Sequence, residues 1–119
     1  MTFPHIDTLP PVSDREPGVY RWTLVREGPL EIPEHDESRR LGITLMVPGS
    51  VTDQLVHPIP EFVMVVQGEL LVTIDGNERT IGAGQFVLIP AQSTHSYRNV
   101  TEQPARMLFA FAGDLVSEI

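Results

Sequence analysis

The sequence predicts an all-β domain, and three observations carry that prediction. Apolar and β-branched residues come in runs of four to eight, separated by turn residues at the spacing of about 8–12 residues expected of a sandwich or closed barrel. Nine glycines and eleven prolines punctuate 119 residues, which suits many short strands joined by turns. No stretch keeps a helical period over a dozen residues.

In order, residues 1–18 contain Pro4, Pro10, Pro11 and Pro17 and close on Gly18. Proline fixes φ and removes a donor, so this segment reads as an extended arm. Such an arm is either a loose terminus or a strap along a neighbouring subunit. Residues 19–26 are β-branched and aromatic and read as a strand, with Tyr20, Trp22 and Leu24 on one face and Arg21 and Thr23 on the other. Residues 27–40 are mostly turn material, with a short extended piece near 30–32. The cluster Glu31, Glu34, His35, Asp36 and Glu37 within them reads as a solvated loop. Residues 41–47 alternate Leu41, Ile43, Leu45 and Val47 against Gly42, Thr44 and Met46, a strand with one firmly apolar face.

Further strands are expected at 61–67, 69–75, 78–81, 86–90, 95–99 and 105–111. Gly76-Asn77 marks a hairpin turn, Gly82-Ala83-Gly84 a tight connection, and residues 114–119 a short tail. The expected organisation is an arm over 1–18 and a barrel domain over 19–119.

Composition bounds the function. At this length one core is feasible without staples. Without cysteine there are no disulfides, thiolate sites or thiol nucleophiles, which fits a cytoplasmic address. Residues 1–14 lack the basic start and apolar run of a secretory signal, and no run approaches the length of a membrane helix. Eight basic residues against sixteen acidic give a net charge of −8. That argues against nucleic acid and anionic membranes as partners, since both need a basic face.

Chemistry concentrates in residues 49–99. Leu55, His57 and Glu61 have like parity, interrupted by Pro58 and Pro60; His95, Tyr97 and Asn99 share a face of a later strand. Two imidazoles and one carboxylate can build one polar site inside an apolar barrel.

These residues resemble the two motifs of the cupin superfamily, small jelly-roll barrels of six to eight strands. Gly49, His57, Glu61 and Gly68 fit the first motif, with Leu55 where its first histidine belongs. Gly84, Pro90, His95 and Asn99 fit the second, with Gln92 in place of its internal glycine. The resemblance implies a single-domain jelly-roll β-barrel of the small, type-2 kind. It also implies one divalent metal ion (Fe, Mn, Ni or Zn) on His57, Glu61 and His95. Two histidines and a carboxylate with open positions suit non-haem iron or catalytic zinc.

Three functions follow as expectations. The first is a metal-dependent enzyme, dioxygenase-like or an isomerase, cyclase or lyase, binding a small organic molecule. The second is a non-catalytic ligand sensor, which Leu55 favours. The third is a metal-free isomerase or cyclase using Glu61 and His95 for proton transfer, with Tyr97 lining the pocket. Asn99 is expected to fix a turn. A homodimer is expected from the arm and the Tyr20–Trp22–Leu24 face, since sheet edges and apolar faces need cover.

Overall fold

Glycine and short polar turns cut the chain into antiparallel strands that stack as two sheets. The structure, a computed structural model, describes residues 5–8, 11, 16–26 and 40–111. Among them are β1 (Val19–Arg26), β2 (Arg40–Met46), β3 (Glu61–Gln67), β4 (Glu69–Ile74), β5 (Asn77–Gly82), β6 (Phe86–Ile89), β7 (His95–Arg98) and β8 (Ala105–Phe111). The acidic cluster at 31–37, the extended piece near 30–32 and the tail at 114–119 lie outside the described residues. In the expected arm, residues Ile6–Thr8 form one 3-10 turn rather than extended chain.

The larger sheet has the order β1-β2-β8-β3-β6 and the smaller β5-β4-β7. Residues 51 and 55 form isolated bridges to Arg98 and His95, so the chain before β3 runs along the free side of β7. The two inner faces form the core of a jelly-roll barrel, with Val63, Val65, Leu70, Val72, Met107 and Phe109 among the buried side chains.

The β4–β5 hairpin turns on Asp75-Gly76, one residue earlier than expected, with φ of 48° and 85°. Positive φ at both central residues matches a type I′ turn, whose twist suits paired strands. Asn77 therefore begins β5.

In β2 the alternation holds, but the apolar face is the outer one. Gly42, Thr44 and Met46 point into the barrel and are buried, while Leu41, Ile43 and Leu45 are half-buried on the outside. The ring of Phe109 explains Gly42: a Cβ there would stand 2.5 Å from Phe109 Cζ and 2.2 Å from the Trp22 carbonyl oxygen. The interior at this level is already filled by an aromatic ring from β8, so β2 contributes small and slender side chains.

Candidate metal centre

Three strand ends bring the chemistry together. Leu55 exchanges backbone hydrogen bonds with His95, at 2.7 and 2.9 Å. The chain then bends at residues 58–59, between two prolines that cannot donate to a ladder. His57 thus lies just past the bridge to β7, and Glu61 opens β3 opposite Ile89 and Phe111. His95 opens β7, paired with Ile74. The loop before it takes its shape from Gln92, which adopts φ of 66° and donates its N–H to the His57 carbonyl at 2.8 Å. Gln92 accepts the left-handed conformation that glycine adopts without strain, so the geometry survives the substitution.

The carboxylate sits between the imidazoles. Glu61 Oε1 lies 3.2 Å from His95 Nε2 and 4.0 Å from His57 Nε2. One ligand atom from each of His57, Glu61 and His95 falls within 4.8 Å of the others, and Glu61 and His95 are buried. His95 Nδ1 lies 3.0 Å from the carbonyl oxygen of Ser93. A carbonyl accepts only, so Nδ1 carries a proton and Nε2 is the ring nitrogen that faces the carboxylate. An imidazole nitrogen and a carboxylate oxygen 3.2 Å apart call for a cation or a proton between them, and the donor set fits a divalent ion with open positions. In ring geometry, His57 lies 5.0 Å from His95 and meets Phe111 edge-on at 4.9 Å.

Tyr97 stands below this group. Its hydroxyl donates to Glu61 Oε1 at 3.4 Å, and Thr52 Oγ1 accepts its backbone N–H at 3.0 Å. Burial pushes the phenol well above its ordinary pKa; the Glu61 charge and the hydrogen bond to it push the same way, and Arg21 opposes them. Tyr97 therefore stays a neutral donor at physiological pH.

All the residues singled out for the site converge: His57, Glu61 and His95 as the cluster, Tyr97 beneath it, and Leu55 beside His95 and packed on the core. Asn99 stands apart and holds a turn. Its amide donates to the carbonyls of Met46 and Gln103, and its Oδ1 accepts from the Thr101 N–H and hydroxyl. His5 lies exposed beside Asp7, away from the site.

Three contributions escaped the sequence reading. Ser93 acts through its main chain, and Phe111 through ring contact from a distant strand, so neither carries a sequence signal. Buried Glu16 pairs with Arg21 and accepts the Asp53 N–H at 2.7 Å, placing an ion pair within the expected extended arm. The one available signal was that Arg21 sits on the face opposite Tyr20 and Trp22. Separately, a cavity of about 640 Å³ opens between β5 and β6, lined by Val72, Ile74, Ile81, Val87, Arg79 and neighbouring residues. The cluster residues do not line it, although Ile74 is the strand partner of His95.

The profile of the cupin domain family, Cupin_2, matches residues 42–111, well over half of the chain. This protein belongs to the cupin family. Over 70 residues it is 40% identical to polyketide synthase CurC of Streptomyces cyaneus, covering 58% of this cupin and 46% of that protein. It is 35% identical over 60 residues to the HTH-type transcriptional regulator SutR of Escherichia coli K12, covering 49% of this chain and 34% of the regulator. The chain thus spans half or less of these curated relatives' length. Among solved structures it resembles the polyketide cyclase RemF of Streptomyces resistomycificus, with a TM-score of 0.72 and 20% identity over 92% of this chain and 77% of that one. At that identity the likeness speaks for the fold.

Proposed function

We propose that this cupin is a metal-dependent enzyme that binds a small, largely apolar organic molecule and acts on it at a carbonyl or enolate oxygen. The reaction class is that of an isomerase, cyclase or lyase, with a dioxygenase-like reaction as its neighbour. The observation that carries the reading is the convergence of one ligand atom each from His57, Glu61 and His95 within 4.8 Å, with His95 Nε2 3.2 Å and His57 Nε2 4.0 Å from Glu61 Oε1. The 40% match to a protein named for polyketide synthesis supports a substrate with several carbonyls.

His57, Glu61 and His95 would hold the ion. When bound, a divalent ion supplies Lewis-acid polarisation of a substrate oxygen. The remaining work belongs to the protein. The Ser93 carbonyl fixes the tautomer and ring orientation of His95. Tyr97 donates to Glu61 and holds its carboxylate in place. Leu55 and Phe111 flank the imidazoles with apolar surface, which limits water and strengthens every charge interaction inside. A substrate oxygen enters on the side where the family resemblance expects another imidazole and Leu55 offers none.

The test is turnover of a β-diketone panel by metal-loaded and chelated protein, beside His95→Ala. The reading predicts activity that chelator and His95→Ala both abolish. Full activity after chelation would instead favour proton transfer by Glu61 and His95 alone. A second reading, a ligand sensor, draws on Leu55 at a ligand position and on the match to SutR. It predicts small-molecule binding that chelator leaves unchanged, without turnover.

A further inference from the structure

β5 ends the smaller sheet and β6 the larger, and among the described residues no strand bridges these two edges. The cavity of about 640 Å³ opens between them. That volume lies in the range of about 300–1,000 Å³ that holds small organic ligands. Its walls are aliphatic: Val72 and Ile74 from β4, Ile81 from β5 and Val87 from β6. Strand pairing sets which polar groups share that space, because residues directly opposite in an antiparallel pair share a face. Arg79 stands opposite Val72 and Asn77 opposite Ile74. Val72 is buried in the core, so the inner face of β5 carries a guanidinium and an amide. Among the described residues, the Arg79 side chain makes no ion pair and no hydrogen bond.

We propose that this cavity binds an apolar organic carboxylate, with Arg79 on its anionic end and the aliphatic walls around its body. A guanidinium is always charged, and its planar fork of donors matches a carboxylate. Among the described residues, Arg79 is the one cation lining the cavity, and the Asn77 amide adds a donor one inward position along β5. Two acids border the same space, and neither takes the arginine. Asp75 Oδ1 accepts the Thr94 N–H at 3.0 Å, and Glu78 stands opposite Thr73, on the other face of β5. These acids set the charge of the ligand. One guanidinium offsets one negative charge, and the acids repel a second, which favours a carboxylate over a phosphate. The site is separate from the metal centre, whose residues do not line it. Across the β4–β7 pairing, Val72 adjoins Tyr97 and Ile74 adjoins His95, so a body filling the cavity lies one strand from the cluster.

The test is isothermal titration of the chelated full chain with cinnamate, cinnamamide and cinnamylamine, which share one skeleton and differ in charge. Binding is read without metal, so its failure and a failure of the metal centre are separate results. Cinnamate should bind at least ~10-fold tighter than either counterpart. Arg79→Met should remove that advantage and leave cinnamamide binding unchanged. Arg98→Met, at an exposed arginine opposite Leu71 on the outer face of the smaller sheet, should change neither. Arg79 is itself exposed, and circular dichroism with a cooperative melt establishes that both variants are folded. Methyl NMR locates the ligand: signals of Ile74, Ile81 and Val87 should shift with cinnamate, and that of exposed Val100 should not. No binding of cinnamate at millimolar concentration would overturn the proposal. So would equal binding of the three probes, an Arg79→Met variant that binds as wild type does, equal loss in Arg98→Met, methyl shifts confined to other residues, or tighter binding of cinnamyl phosphate.

Discussion

His95 shows how one side chain is committed to its role by its neighbours. Its Nδ1 proton is held by the Ser93 carbonyl, which turns Nε2 toward Glu61. His95→Ala should therefore cost more metal affinity than the roughly 10–100-fold typical of removing an outer partner. Isothermal titration with zinc or manganese measures this. Tyr97 gives a prediction in pH. The folded chain holds the phenol proton at pH values where the unfolded chain has lost it. The resulting stability is complete below pH 10 and declines as pH rises past 10 toward the raised folded value. In chelated protein, thermal melts should show that decline for wild type and a shallower one for Tyr97→Phe. At neutral pH the lost hydroxyl should cost about 1 kcal/mol. These site residues were legible in the sequence because a carboxylate and two imidazoles sit at turn-defined distances. Ser93 and Phe111 were not, because a main-chain acceptor and a ring contact from β8 leave no mark in local spacing.

At the scale of elements, backbone conformation at two positions sets the strand ends that carry the site. Gln92 holds φ of 66° where glycine is unstrained. Gln92→Gly should stabilise the fold by about 0.5–1 kcal/mol, a rise of a few degrees in Tm, with the His57 carbonyl contact kept. Gly68 joins β3 to β4 at φ of 76°, and a Cβ there would lie 2.6 Å from the Pro104 carbonyl oxygen. Gly68→Ala should destabilise by about 2–4 kcal/mol, read from chemical denaturation. The sequence showed the turn at Gly68 through its break between two apolar runs. It placed the β4–β5 turn one residue late, because Asp75 in the left-handed region has the look of a strand end. It showed the alternation of β2 but not which face turns inward. Parity gives two faces; only the Phe109 ring across from Gly42 decides between them.

For the whole molecule, the two sheets enclose a polar group at one place and an ion pair at another. Glu16 and Arg21 link the segment before β1 to the chain near Asp53, a tertiary closure that no local pattern foretells. The outer face of the larger sheet extends the same lesson. Its apolar strand faces were visible in the sequence, but that they look outward from β2, β3 and β8 was not. Among the described residues, no helix is long and apolar enough to cross a membrane. The central claim is that His57, Glu61 and His95 suffice to hold a divalent ion without an imidazole at position 55. The most direct measurement is elemental analysis of protein purified without a metal-binding tag, beside Leu55→His. The account predicts about one equivalent of metal in both proteins. Metal in Leu55→His and none in the wild type would contradict it and leave the natural pocket metal-free.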